Sequence, residues 1–254
     1  MTANTPRRFE NRKVLITGAA SGIGRRAAEC FVAEGASVVG LDAIAPTEKT
    51  DFQVLPLDIT QAADVEKTCA TLKAEGFVPD VIVNAAGTLR LGRTDTLSVD
   101  DWQHCINVNV TGPFLLLRQW VKEMKARRSG AIVNIASNAA HVPRLDMAAY
   151  CTSKAALVSF SHCVALEMAP FGVRCNVVSP GSTRTPMLTG MQGGNLDDTP
   201  FIQGTPQNYK LGIPLAKVAQ PDDIARVVLF LASDDANHVT MQDVVVDGGA
   251  TLGA

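Results

Sequence analysis

An apolar run, Val14-Leu15-Ile16-Thr17, leads directly into Gly18-Ala19-Ala20-Ser21-Gly22-Ile23-Gly24 and then into a helical pattern that stops at Gly35. A strand that turns through glycines into a helix leaves the helix N-terminus over the strand's end. There its amides and positive dipole end can receive an anion. The same rhythm continues down the chain. Strands are predicted at 37–41, closed by Asp42, and at 54–57, closed by Asp58; a helix at 64–75 ends at Gly76. A strand at 81–83, a long helix at 98–125, a strand at 131–135, a helix at 147–168 and a strand at 173–178 follow. A helix at 221–232 begins on proline, and a last strand covers 244–246. Apolar strands separated by helices imply βαβ units and a parallel sheet covered on both faces. The expectation is one α/β domain over residues 1–254, a Rossmann-like doubly wound parallel sheet with helices on both faces. The irregular stretch carrying Gly190, Gly193, Gly194 and Gly204 reads as a substrate lid over about residues 187–210.

Charge narrows the partners. Lys and Arg number 23 against 25 Asp and Glu, so no basic field exists for nucleic acid or anionic lipid. Arg7, Arg8, Arg12 and Lys13 read as a solvated chain start. Apolar runs such as 227–232 are far too short to span a bilayer, and residues 1–10 are polar, without the apolar core of an export signal. Cys30, Cys69, Cys105, Cys151, Cys163 and Cys175 show neither a C-x-x-C nor a metal spacing, which points to reduced thiols in a cytoplasm. His141 likewise lacks partners at metal spacing. The expectation is a cytoplasmic protein with a small-molecule substrate, no metal, no nucleic acid and no membrane.

The glycines at 18, 22 and 24 form G-x-x-x-G-x-G, without the Lys-Ser/Thr of a P-loop. Between a strand and a helix they suit a dinucleotide, with Gly18, Ser21, Gly22, Ile23 and Gly24 around the diphosphate. Asp42, at the end of the second strand, can accept both hydroxyls of an adenosine ribose and would repel a 2′-phosphate. Only Ala43-Ile44-Ala45 follows it, so NAD is expected over NADP, although Arg25 or Arg26 could still receive a phosphate. Asp58 and Ile59 would flank the adenine; Asp58 is equally suited to cap a helix ahead of Thr60.

Tyr150 and Lys154, four residues apart in a helical pattern, share one face, so an ammonium can lie beside a phenol. Such proximity favours phenolate and lowers the tyrosine pKa, as a general base for an alcohol requires. Ser137 follows the fifth strand at the carboxyl edge, where α/β ligands bind.

Thr17 to Gly24, Asn84-Ala85-Ala86-Gly87, Asn109, Ser137, Tyr150, Lys154 and Pro180-Gly181, in this order, resemble the short-chain dehydrogenase/reductase signature over nearly the whole chain. The family usually shows Asn-Asn-Ala-Gly where Ala85 stands here. The resemblance implies Tyr150 as acid/base and Ser137 as the hydroxyl that orients and polarises the substrate oxygen. Lys154 would hold the nicotinamide ribose and depress the Tyr150 pKa, and Asn109 would hold a water in a proton relay. Asn84 and Gly87 would line the adenosine side, with Pro180, Gly181, Thr183 and Thr185 toward the nicotinamide. It also implies a homotetramer, and Phe114-Leu115-Leu116-Leu117 reads as core or subunit interface.

A narrower likeness lies in Leu89-Arg90-Leu91-Gly92, residues 136–144, residues 176–183, Lys210-Leu211-Gly212-Ile213-Pro214-Leu215 and residues 245–254. These resemble the family's dihydrodiol dehydrogenases of catecholate siderophore synthesis, which make a catechol from a cyclic dihydrodiol carboxylate. The family commonly has glycine where Met241 stands. A substrate carboxylate in a closed site needs a cation. Arg144, between Ser137 and Tyr150, is the first candidate; Arg90 is the second and Arg184 the third. Other readings are an NAD-dependent dehydrogenase of another cyclic alcohol, a 3-oxoacyl thioester reductase, or a nucleotide-binding sensor without chemistry. An apolar acyl channel would not need Arg144, and a sensor could lose Tyr150 or Lys154.

Overall fold

A computed structural model of the chain describes residues 7–194 and 197–253. The first half alternates β1 (Lys13–Thr17), α1 (Gly22–Ala33), β2 (Ser37–Asp42), β3 (Gln53–Pro56), α2 (Ala62–Ala74) and β4 (Val81–Asn84). Then come α3 (Val99–Ile106), α4 (Gly112–Arg127), β5 (Gly130–Ile135), α5 (Ala148–Met168) and β6 (Val173–Pro180). Two short helices, α6 (Pro186–Met191) and α7 (Thr199–Gln203), precede α8 (Pro221–Ala232) and β7 (Asp243–Val246). The strands form one seven-stranded sheet in the order β3-β2-β1-β4-β5-β6-β7, parallel throughout.

The period of two along each strand divides the core between the faces. Val14, Ile16, Val81, Val83, Val133 and Ile135 pack under α1 and α8, against Phe31, Val228 and Leu229. Leu15, Ile82 and Ile132 face the other way, against Leu72 of α2, Trp120 and Met124 of α4 and Val164 of α5. Both faces are covered, which is why the strands read as continuous apolar runs.

Chain order reverses between β1 and β4, so the crevice beyond their carboxyl ends is the topological switch point. Thr17 and Asn84 end these strands in register, and the Thr17 hydroxyl accepts hydrogen bonds from the amides of Ala85 and Ala86, both at 3.1 Å.

One helix departs from expectation. The stretch 98–125 is interrupted by a π turn at Asn107–Thr111, between α3 and α4. Gly112, just beyond it, lets Ile59 approach; a Cβ there would lie 2.5 Å from Ile59 Cδ1. The 187–210 stretch contains α6, α7 and a 3-10 turn at Pro206–Asn208; Asn195 and Leu196 lie outside the described residues. Met241 occupies the left-handed region at φ 64°, a conformation that costs glycine least. Among the described residues, no helix is long and apolar enough to cross a membrane.

Candidate active site

A cleft of about 700 Å³ opens over the switch point. One end is built by the β1–α1 turn. Gly18 (φ 69°) and Gly22 (φ 55°) sit in the left-handed region, and a Cβ at Gly18 would lie 2.7 Å from the amide nitrogen of Ala86. A Cβ at Gly24 would collide with the carbonyl of Gly18. The Ser21 side chain makes no capping hydrogen bond, and no acidic residue stands in the first turn of α1. The amides there are free to receive a diphosphate.

Asp42 lies 22 residues further along the chain but folds back on this turn: its Oδ2 accepts from Ala20 N at 2.9 Å and its Oδ1 from Ile44 N at 3.0 Å. Asp58 and Ile59 also line the cleft. Burial opposes ionisation of Asp58, but the amide and hydroxyl of Thr60 donate to its Oδ1 and hold the carboxyl below its ordinary value. The capping role and the cleft position coexist. Arg25 pairs with Glu29 at 3.0 Å and Glu48 at 2.9 Å, and Arg26 pairs with Asp222 at 2.7 Å. Both cations are committed to carboxylates.

At the other end, Ser137, Tyr150 and Lys154 converge, exposed by 8%, 8% and 4%. Ser137 caps the short turn after β5, its hydroxyl accepting from Ala139 N at 3.1 Å. Lys154 Nζ donates to the carbonyl of Ile135 at 2.9 Å and lies 5.7 Å from the Tyr150 ring centroid. Gly87 admits this ammonium, since a Cβ there would come within 3.3 Å of Nζ. The expected lowering of the Tyr150 pKa does not hold in the protein alone. Burial pushes the phenol up to about 12, although the Ser137 hydroxyl pulls the other way, and burial pushes Lys154 down to about 8. Desolvation outweighs proximity, because both charged forms lose water together.

Asn109, in the π turn, is fully buried. Its Oδ1 accepts from Thr88 N at 2.8 Å; its Nδ2 donates to Thr88 O and Ser153 Oγ, both at 2.9 Å. Both amide protons are therefore used within the protein. Pro180, Gly181, Thr183 and Thr185 line the cleft after β6, with Thr185 capping α6.

Four expected site residues, Asn84, Asn109, Arg90 and Arg184, lie outside the cleft lining. Asn84 does not line the cleft; its Nδ2 donates to Asn134 Oδ1 at 2.7 Å, in a buried amide chain that continues to Ser161. Arg90 also lies outside it, drawn outward by Asp101 at 3.1 Å. Arg184, the third candidate, pairs with Asp198. Arg144 does line the cleft, half-buried, and burial lowers its pKa. Sequence reasoning passed over His104, Phe201 and Lys210 as cleft residues. Lys210 had a signal, since it falls at the end of the expected lid and within a motif of the narrower resemblance. His141, by contrast, bonds to Asp243 at 2.9 Å, and among the described residues no group of three or more His, Cys, Asp or Glu could hold a metal.

A dinucleotide cradle at a topological switch point, with a buried Ser-Tyr-Lys cluster beyond it, defines a nucleotide-dependent oxidoreductase. A family model described as enoyl-(acyl carrier protein) reductase matches residues 18–251. A 2,3-dihydro-2,3-dihydroxybenzoate dehydrogenase of Escherichia coli (strain K12) is 49% identical, over 97% of this chain and 99% of its own. An enzyme of the same name from Bacillus subtilis (strain 168) is 42% identical, over 96% and 98%. A solved short chain dehydrogenase/reductase family protein superposes with a TM-score of 0.83 at 35% identity, over 95% of this chain and 97% of that one. The chain belongs to the short-chain dehydrogenase/reductase family, oxidoreductases that work with a nicotinamide cofactor.

Proposed function

We propose that this protein oxidises 2,3-dihydro-2,3-dihydroxybenzoate to 2,3-dihydroxybenzoate, with NAD as the hydride acceptor, in catecholate siderophore biosynthesis. The observation that carries the reading is that the buried Ser137-Tyr150-Lys154 cluster shares its cleft with a half-buried Arg144. Among the described residues that guanidinium has no ion pair. A ring bearing both an alcohol and a carboxylate matches that pairing, and the names of the relatives above agree with it. An acyl thioester would leave the Arg144 charge desolvated without a counterion.

The residues fit a dinucleotide. The bare glycines leave room for a diphosphate, the uncapped amides of α1 would hold it, and Asp42 would accept the adenosine ribose hydroxyls. Lys154 spends one of its donors on Ile135 O and has others for the nicotinamide ribose. Held there, the cofactor would supply the acceptor for the hydride of the carbinol carbon. Ser137 would donate to the substrate oxygen and fix it beside Tyr150. Tyr150 would take the hydroxyl proton as that hydride leaves, so the C–OH becomes C=O. Enolisation of the resulting dienone to the catechol supplies the driving force. Because Tyr150 rests as a phenol, its own proton must first leave. Lys154, with a pKa near 8, is poised to pass it on, with Asn109 placing the relay water. Arg144, with its charge in the cleft wall, would hold the carboxylate.

The reading extends to a cytoplasmic homotetramer. Phe114 on α4 is 45% exposed and meets Phe160 of α5 edge-on at 6.2 Å, an apolar outer face suited to a second subunit.

The test follows reduced-nicotinamide absorbance and 2,3-dihydroxybenzoate formation from the dihydrodiol acid, with NAD⁺ and, in parallel, NADP⁺. Turnover with NAD⁺ is expected. No turnover by protein that demonstrably binds NADH would discard the substrate.

A further inference from the structure

Lys210 is the cleft residue whose place neither the glycine turn nor the catalytic cluster explains. It lies beyond α7, where Thr205 and Lys210 form an isolated antiparallel bridge: Thr205 N donates to Lys210 O at 2.8 Å and Lys210 N to Thr205 O at 3.2 Å. Gly204 makes the loop possible at φ 81°, since a Cβ there would lie 2.6 Å from the Lys210 carbonyl. The backbone of Lys210 is thus held at both polar atoms while its side chain enters the cleft. Its ammonium lies 4.6 Å from the centroid of the Phe201 ring, itself buried. Burial, and then the charge of Arg144, lower its pKa.

Two half-buried cations that line one cleft are costly unless an anion joins them. Among the described residues neither Lys210 nor Arg144 has an ion-pair partner, although Arg90, Arg93 and Arg184 all have one. Asp247 is near enough to influence Arg144, but its carboxylate is taken by Asn138, Gly249 and Thr251.

We propose that Lys210 is the second cation for the substrate carboxylate, forming with Arg144 a two-point anion site in the cleft. This inference rests on the dihydrodiol carboxylate reading and deepens it. Arg144 stands on the wall just ahead of α5 and Lys210 on the segment that follows α7. A carboxylate between them would tie the segment after α7 to the wall ahead of α5. A neutral ring would lack that tie.

The experiment compares wild type with Lys210→Gln, Lys210→Arg and Arg144→Gln. Substrates are the dihydrodiol acid and its neutral counterpart without the carboxylate, 5,6-dihydroxycyclohexa-1,3-diene. Binding of 2,3-dihydroxybenzoate and of catechol to the protein–NADH complex is measured calorimetrically alongside. Loss of one charge-assisted contact should cost Lys210→Gln about 10- to 100-fold in KM for the acid and in affinity for 2,3-dihydroxybenzoate. KM for the neutral diol, catechol affinity and NADH affinity should hold, and Lys210→Arg should recover most of the loss. Equal shifts for acid and neutral ligands would overturn the proposal, as would no shift for either. If wild type fails to oxidise the dihydrodiol acid, the substrate assignment falls and the binding arm decides this one. Lys210-dependent preference for the carboxylated ring upholds the anion site; its absence refutes it.

Discussion

Asp42→Asn tests the cofactor choice without dismantling the turn that makes it. The carboxylate accepts one amide at each oxygen, Ala20 N at 2.9 Å and Ile44 N at 3.0 Å, so alanine would strand both donors. Asparagine keeps one acceptor and removes the charge. The lost backbone bond costs about 1 kcal/mol of stability. Against NAD, the substitution turns a charge-assisted contact to the ribose into a neutral one. The charged contact is worth about 1.5–3 kcal/mol, so affinity should fall by about 10-fold or somewhat more. Against NADP, the native repulsion between unit charges about 5 Å apart, at an effective dielectric of about 20, is about 3 kcal/mol. Relieving it should raise NADP affinity by about two orders of magnitude. The preference for NAD should then shrink by about a thousandfold. No cation takes over, because Arg25 is held by Glu29 and Glu48 and Arg26 by Glu29 and Asp222. The assay is kcat/KM with each dinucleotide at saturating diol, with NADH and NADPH binding by fluorescence. A ratio that moves only a few-fold would show that Asp42 merely ties the strand end to Ala20 and Ile44.

Gly24→Ala forces a Cβ into the Gly18 carbonyl, backbone against backbone, so no rotamer relieves it. NADH binding should be abolished and Tm lowered by several degrees, whereas Gly190→Ala, with nothing within 4 Å of the new Cβ, should behave as wild type in both measurements. Stability should also depend on pH in two opposite steps. Lys154, held near 8 against an ordinary 10.5, penalises the folded state at neutral pH; that penalty eases as pH rises from 8 to 10.5. Burial raises Cys69 to about 11 and Cys175 to about 12, so these thiols stay protonated in the folded chain while the unfolded chain ionises above about 9. Each thiol then removes about 1.4 kcal/mol per pH unit up to its folded pKa, and the pair outweighs the lysine. Thermal melts under reductant should peak near pH 9 and fall by pH 11, and a continued rise to pH 11 would contradict the burial of the thiols.

The sheet was legible because its signals are local. Short continuous apolar runs bounded by Gly, Asp and Pro placed all seven strands within a residue or two, and the glycine spacing announced the turn whose crowding the structure displays. Tyr150 and Lys154 were legible for the same reason, one helical turn apart on one face. The π turn was not, since the apolar pattern of 98–125 continues through it; only the burial of Asn109 against Thr88 and Ser153 distinguishes it.

Short spacings in the sequence therefore determined the layered parallel sheet, the glycine turn and the Tyr150–Lys154 pair, while Ser137 joined that pair through the family resemblance. Tertiary structure decided which cations line the cleft. Asp101 draws Arg90 out of the cleft and Asp198 engages Arg184, while the Thr205–Lys210 bridge turns Lys210 into it. It also decided the protonation of the cluster, because desolvation depends on everything packed around Tyr150 and Lys154 rather than on the four residues of spacing between them.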